Sequence, residues 1–93
     1  MMHYQEGNTV RLLVEFKDWD NQPVDPDLVK LIILDNSYKK VEENSVGPAN
    51  RLGEGMYYFD YVTKEAGDYI YEWYAEIDGT PSLKRERIFV RKV

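Results

Sequence analysis

The sequence predicts an all-β fold, a small antiparallel β-sandwich, and three observations carry that prediction. Two Gly-led runs alternate aromatic with other residues: Gly55-Met-Tyr57-Tyr-Phe59-Asp-Tyr61 and Gly67-Asp-Tyr69-Ile-Tyr71-Glu-Trp73-Tyr-Ala75-Glu-Ile77. Period-two alternation in strand-forming residues is the mark of half-buried strands, and the Gly before each run marks a turn. Turn-forming clusters recur every ~8–12 residues, the spacing of an all-β domain. No segment has a helical apolar period of useful length. The 93 residues suit one domain with one core.

The elements follow in order. From Asn8 to Phe16, Val10, Leu12, Val14 and Phe16 alternate with Thr9, Arg11, Glu15 and Lys17, and only Leu13 interrupts the polar face. Asp18 to Asp27 holds Asx residues with Pro23 and Pro26, so it reads as a connection. Trp19 and Val24 within it are expected to fold back onto the sandwich edge. In the second strand, Val29 to Asp35, Val29, Leu31, Ile33 and Asp35 share one face, and Lys30, Ile32 and Leu34 the other. Asp35-Asn-Ser-Tyr turns into a third strand, Lys39 to Glu43. Asn44 to Gly55 reads mostly as loop, with a short pairing at Arg51-Leu52. Met56 to Val62 is the fourth strand. Thr63 to Gly67 turns into the fifth, Asp68 to Ile77, with Tyr69, Tyr71, Trp73, Ala75 and Ile77 facing inward. Asp78-Gly79-Thr-Pro81 is a hairpin signal. The last strand runs from about Leu83 to Val93. Its parity conflicts, with Leu83, Arg85, Arg87, Phe89 and Arg91 on one side and Ile88 and Val90 on the other. A bulge near Arg85 to Arg87 would reconcile them. The whole reads as an immunoglobulin-like or fibronectin-III-like sandwich of six to seven strands, with an N-terminal tail over 1–7 and a single domain over 8–93.

Composition narrows the function. Hydrophobic residues make up 43% of the chain, which places it among globular proteins. There is no cysteine, which favours a reducing compartment. The N-terminus lacks an apolar h-region, so no signal peptide is expected, and no apolar run approaches the ~20 residues of a membrane span. A net charge of −5 argues against a nucleic-acid partner, because phosphate neutralisation needs a basic face.

No catalytic arrangement assembles. The single histidine, His3, falls in the expected tail, and Ser37, Ser45 and Ser82 have no His partner. Asp18, Asp20, Asn21, Asp25 and Asp27 crowd one loop with oxygen ligands, so Asp18, Asp20, Asp25 and Asp27 are a calcium candidate. The spacing lacks the central Gly and terminal Glu of an EF-hand loop, and Asx turns explain the same residues. No cofactor is expected. Lys84, Arg85, Arg87, Arg91 and Lys92 are five of the 12 basic residues. They read either as an electrostatic dock or, more simply, as charge protection of an exposed edge strand. Outward parity gives Tyr58, Ile70 and Tyr74 as one apolar set and Leu13, Ile32 and Leu34 as a second on the other outer face. These six and Trp19 are the candidate interaction residues. Contact with a protein partner or another copy and plain cross-strand pairing explain them equally well.

Three segments together carry a family resemblance: Gly7-Asn-Thr-Val10; Asp18-Trp-Asp-Asn-Gln-Pro23-Val-Asp25-Pro26-Asp with Val29-Lys-Leu-Ile-Ile33; and Gly55-Met-Tyr57-Tyr-Phe59 with Ala66-Gly67-Asp68-Tyr69-Ile-Tyr71-Glu-Trp73. The chain resembles, over nearly its full length, the small immunoglobulin-like proteins of tailed-phage and prophage structural gene clusters. It is also similar to bacterial macroglobulin-type sandwich modules. Asn21-Gln22 stands where such loops often carry Gly. The resemblance implies a non-enzymatic virion accessory: a capsid decoration, a neck or head–tail connector component, or a tail protein; the Met start and the full set of expected strands fit a stand-alone gene product. It implies residence in the virion, or in the bacterial cytoplasm before assembly, and coat, connector or self as partner. A carbohydrate-binding or adhesion module is the alternative, with Trp19 as the residue that would stack on a sugar.

Overall fold

The computed structural model describes residues 2–92, with side chains from residue 4 onward. Met1 of the expected tail and Val93 of the last expected strand lie outside the described residues. The strands are β1 (Met2–Gln5), β2 (Thr9–Glu15), β3 (Leu28–Asp35), β4 (Lys40–Ser45), β5 (Arg51–Gly53), β6 (Met56–Val62), β7 (Gly67–Ile77) and β8 (Thr80–Arg91). A 3-10 turn over Pro48–Asn50 precedes β5. The fold is all-β and immunoglobulin-like. A five-stranded sheet in the order β1-β8-β7-β3-β4 packs on a three-stranded sheet in the order β2-β6-β5.

Alternation in the sequence places the core between these layers. In β2, Val10, Leu12 and Val14 are buried and Thr9, Arg11, Leu13 and Glu15 are exposed. In β3, Val29, Leu31 and Ile33 point inward, and in β7, Tyr71, Trp73 and Ala75 meet them. Tyr57 and Tyr61 of β6 close the other layer, and Phe16 packs its ring 6.1 Å from that of Tyr57. Burial of these side chains is the main driving force for folding.

Three local expectations meet the structure differently. Within the expected tail, Met2 to Gln5 form β1, which pairs parallel with Ile88 to Arg91 of β8. Met-His-Tyr-Gln alternates over only four residues, too short a run to signal a strand; its backbone bonds to the sheet edge make it one, and Tyr4 packs against the core. The bulge in the last strand is absent, since β7 and β8 pair without a break from Ile77↔Thr80 to Gly67↔Val90. Ile88 and Val90 face the core, and on the same parity Lys84 and Glu86 face the sandwich's open side instead of an apolar interior. The expected hairpin turn is present, with Asp78 and Gly79 both at positive φ (51° and 77°), the geometry of a two-residue type I′ turn.

The place of β1 matters for the surface. In a constant-type immunoglobulin sandwich the first strand lies in the four-stranded sheet, away from the CFG sheet. Here it joins the sheet of the last strand, so among the described residues β2 has a partner on one side only. The other edge of its sheet, β5, is only three residues long.

Candidate functional site

The connection after β2 builds the most unusual surface feature. Lys17 bridges to Pro23, and the Asp18 carboxylate accepts the N–H of Asp20 at 2.9 Å and of Gln22 at 3.0 Å. Asn21 takes φ 64°, which Asn tolerates better than most residues. This tight Asx-capped loop holds Trp19 out from the body at 96% exposure. Val24 meets the expectation and packs against the core; Trp19 does not. Beside Trp19 a cleft of about 360 Å³ runs to the β7–β8 hairpin, with Lys17 and Asp18 on one wall and Ile77, Thr80 and Pro81 on the other. The site is an aromatic anchor with apolar neighbours and a charged rim.

The loop is anchored from behind by Asp25. Its carboxylate binds the Arg51 guanidinium at 3.0–3.2 Å, the Gly55 N–H at 2.9 Å and the Tyr57 hydroxyl at 3.1 Å. Arg51, first, and then the Gly55 N–H lower the Asp25 pKa to about 2. The calcium candidate therefore does not come together. Asp25 is committed to Arg51, Asp18 caps its own loop, and among the described residues no group of three His, Cys, Asp or Glu is placed to hold a metal ion.

The outward apolar residues sort differently from the two sets expected. Leu13 stands directly opposite Tyr58 on the outer face of the three-stranded sheet. Arg11 lies over the Tyr58 ring at 4.1 Å and grips Asp60 at 2.8 and 3.0 Å. Ile32, Leu34, Ile70 and Tyr74 share the outer face of the five-stranded sheet. There Ile70 (4% exposed) and Leu34 (9%) are buried, so neither offers the contact surface that parity alone suggests. Arg85 and Arg87 flank Ile70, and Arg85 also binds Glu72 at 2.6 Å. Ile32 and Tyr74 are half-buried, and Tyr74 donates its hydroxyl to Glu76. That face is a charged lattice over a small apolar layer, which long side chains cover well.

Sequence reasoning missed three exposed members of the other face, Leu52, Met56 and Val62. The signal was present for two of them: inward Tyr57, Phe59 and Tyr61 leave Met56 and Val62 outward by parity. It also missed the seam between β2 and β8, where a cavity of about 180 Å³ is bordered by Leu13, Val14 and Lys84 and floored by Tyr71 and Trp73. Lys84 crosses the seam to donate to the Glu15 carbonyl at 2.8 Å. The Trp73 indole N–H is buried with no hydrogen-bond partner among the described residues. Ser37, Ser45 and Ser82 lie on separate elements: the β3–β4 turn, the end of β4 and the start of β8.

No family model and no curated protein matches the chain. Among solved structures it is similar to the crystal structure of CopC from Methylosinus trichosporium OB3b, at 22% identity and a TM-score of 0.65. The match covers 98% of this chain and 83% of that one. At that identity the likeness shows the fold. It corrects the functional expectation as well. The solved structure sharing this architecture is not a phage protein, and the finding supports neither a virion accessory nor an adhesion module.

Proposed function

We propose that this chain is a non-enzymatic protein-binding domain that engages its partner through the Trp19 end of the sandwich. The observation that carries this reading is the exposure of Trp19 on a loop closed by its own hydrogen bonds. Water contact with a whole indole is costly, and burying such a ring at an interface contributes on the order of 2 kcal/mol or more. Trp is also among the residues that most often dominate protein interfaces, and a preordered loop loses little entropy on binding. The surroundings suit a protein surface: apolar Ile77 and Pro81 near the anchor, with Lys17, Asp18 and Asp78 around it. The net charge of −5 favours a protein over a nucleic acid.

The test is affinity capture on the immobilised domain, with Trp19→Ala as the matched control. The proposal expects a defined protein retained by the wild type, with affinity lowered about 30-fold or more in the variant. The melting temperature should not change, because the Trp19 ring stands clear of the core. Equal retention by both proteins would overturn the reading. A bound metal ion is tested in the same material by capture with and without chelator, and no difference is expected.

A further inference from the structure

We infer that β2 is a self-pairing edge: two copies of this chain join β2 to β2 antiparallel and continue the three-stranded sheet across a two-fold axis. This edge is independent of the Trp19 end, and its backbone groups define it. The Phe16 N–H donates to the Gly55 carbonyl, and the Thr63 N–H donates to the Asn8 carbonyl. Even-numbered residues of this strand therefore direct their backbone groups at β6. By alternation, Thr9, Arg11, Leu13 and Glu15 direct theirs at the open edge. The Glu15 carbonyl agrees with this parity, since it accepts from Lys84 across the seam.

The edge lacks most of the usual protections, and its charges, Arg11 and Glu15, are of opposite sign. It is seven residues long and regular, with no proline. The other exposed edges differ. β1 has four residues and β5 three, the stretch of β8 that β1 leaves open holds Pro81, Lys84, Arg85 and Arg87, and β4 carries Lys40, Glu42 and Glu43 beside a register shift in its pairing with β3. At the centre of β2 stands Leu13, 58% exposed.

The side chains choose the occupant and the register. Antiparallel pairing centred on Leu13 sets Leu13 against its own copy. It also sets Arg11 against Glu15 of the second copy, at both ends. One surface thus supplies both halves of each charge pair, which is what an isologous two-fold contact requires. About six backbone hydrogen bonds would form in this register. The Glu15 carbonyl keeps Lys84, since a carbonyl accepts two bonds. Asp60 already faces Arg11 and Lys17 already faces Glu15 at 3.5 Å; both are on the exposed outer face and tolerate a further partner.

The experiment is solution mass by analytical ultracentrifugation of the purified chain over micromolar to millimolar concentration. The wild type is expected to approach twice 11.0 kDa. Glu15→Arg, which opposes two arginines, should weaken the dimer about tenfold or more. Adding Arg11→Glu in the same chain restores opposite charges and should restore the dimer, a rescue that a purely internal role for either residue would not produce. Leu13→Lys, on an exposed site, gives a second disruption if circular dichroism shows the charge variants to be misfolded. A monomer at every concentration, or a dimer indifferent to both Glu15→Arg and Leu13→Lys, overturns the inference.

Discussion

Asp25 shows how one residue turns a connection into a fixed loop. It ties Arg51, Gly55 and Tyr57 to the segment that presents Trp19. Its folded-state pKa of about 2 lies below the roughly 4 of an unfolded carboxylate. Its contribution is therefore fully present above about pH 4 and is lost as pH falls towards 2. Urea midpoints measured from pH 7 down to 2 should fall through that window in the wild type. Asp25→Asn should be less stable at pH 7 and show a shallower fall. Asp60 and Glu43 are shifted the same way by Arg11 and Lys40, so the difference between the two proteins isolates Asp25. If the two acid profiles run parallel, the Asp25 hub does not hold the loop. Little of this was legible in the sequence, where Asp25 was one of several loop acids. Its partner Arg51 is 26 positions away, and nothing local pairs them.

Among the elements, the β5–β6 turn is the sharpest constraint. Gly55 sits at φ 76°, and a Cβ there would meet the Phe16 carbonyl oxygen at 2.6 Å and the Val24 N at 3.0 Å. Both neighbours are backbone and cannot swing aside. Gly55→Ala should destabilise by about 2 kcal/mol or more through combined strain and clash. For a domain of this size that is a fall of roughly 10 °C in melting temperature. An unchanged melting temperature would mean that the β2–β3 connection is not packed against this turn. The sequence marked Gly55 as a turn residue but not as a close approach, because the backbone it meets belongs to a segment some 30 to 40 positions earlier. Strands with clean alternation, β2, β3, β6 and β7, were legible to within a residue or so. β1 was not, since its alternation covers only four residues and its pairing depends on the distant β8 edge. β8 misled because its inward Lys84 and Glu86 lie where the sandwich is open, so the apolar half of the alternation stops at Ile88.

At the scale of the molecule, one topological choice organises the surface. Placing the first strand beside the last closes part of the β8 edge and leaves β2 uncovered. The same layout puts the β2–β3 loop and the β7–β8 hairpin at one end, where they form the cleft beside Trp19. The fold class came from strand periodicity, but this arrangement did not, because strand order is a long-range property. Nor could the sequence separate a covered apolar residue from an exposed one. Ile70 and Leu13 both looked outward; Arg85 and Arg87 flank the first, and the second stands beside the open edge.

The protein-binding account rests on Trp19, and the chain offers a direct probe because it has two tryptophans, one exposed and one 2% exposed at Trp73. The measurement is quenching of intrinsic fluorescence by iodide, on the free domain and on its complex with the captured protein, using Trp73→Phe alongside the wild type to assign the signal and a partner whose own tryptophans are replaced. The account predicts that Trp19 is strongly quenched in the free domain and protected in the complex. Quenching that is as strong in the complex as in the free domain would contradict it.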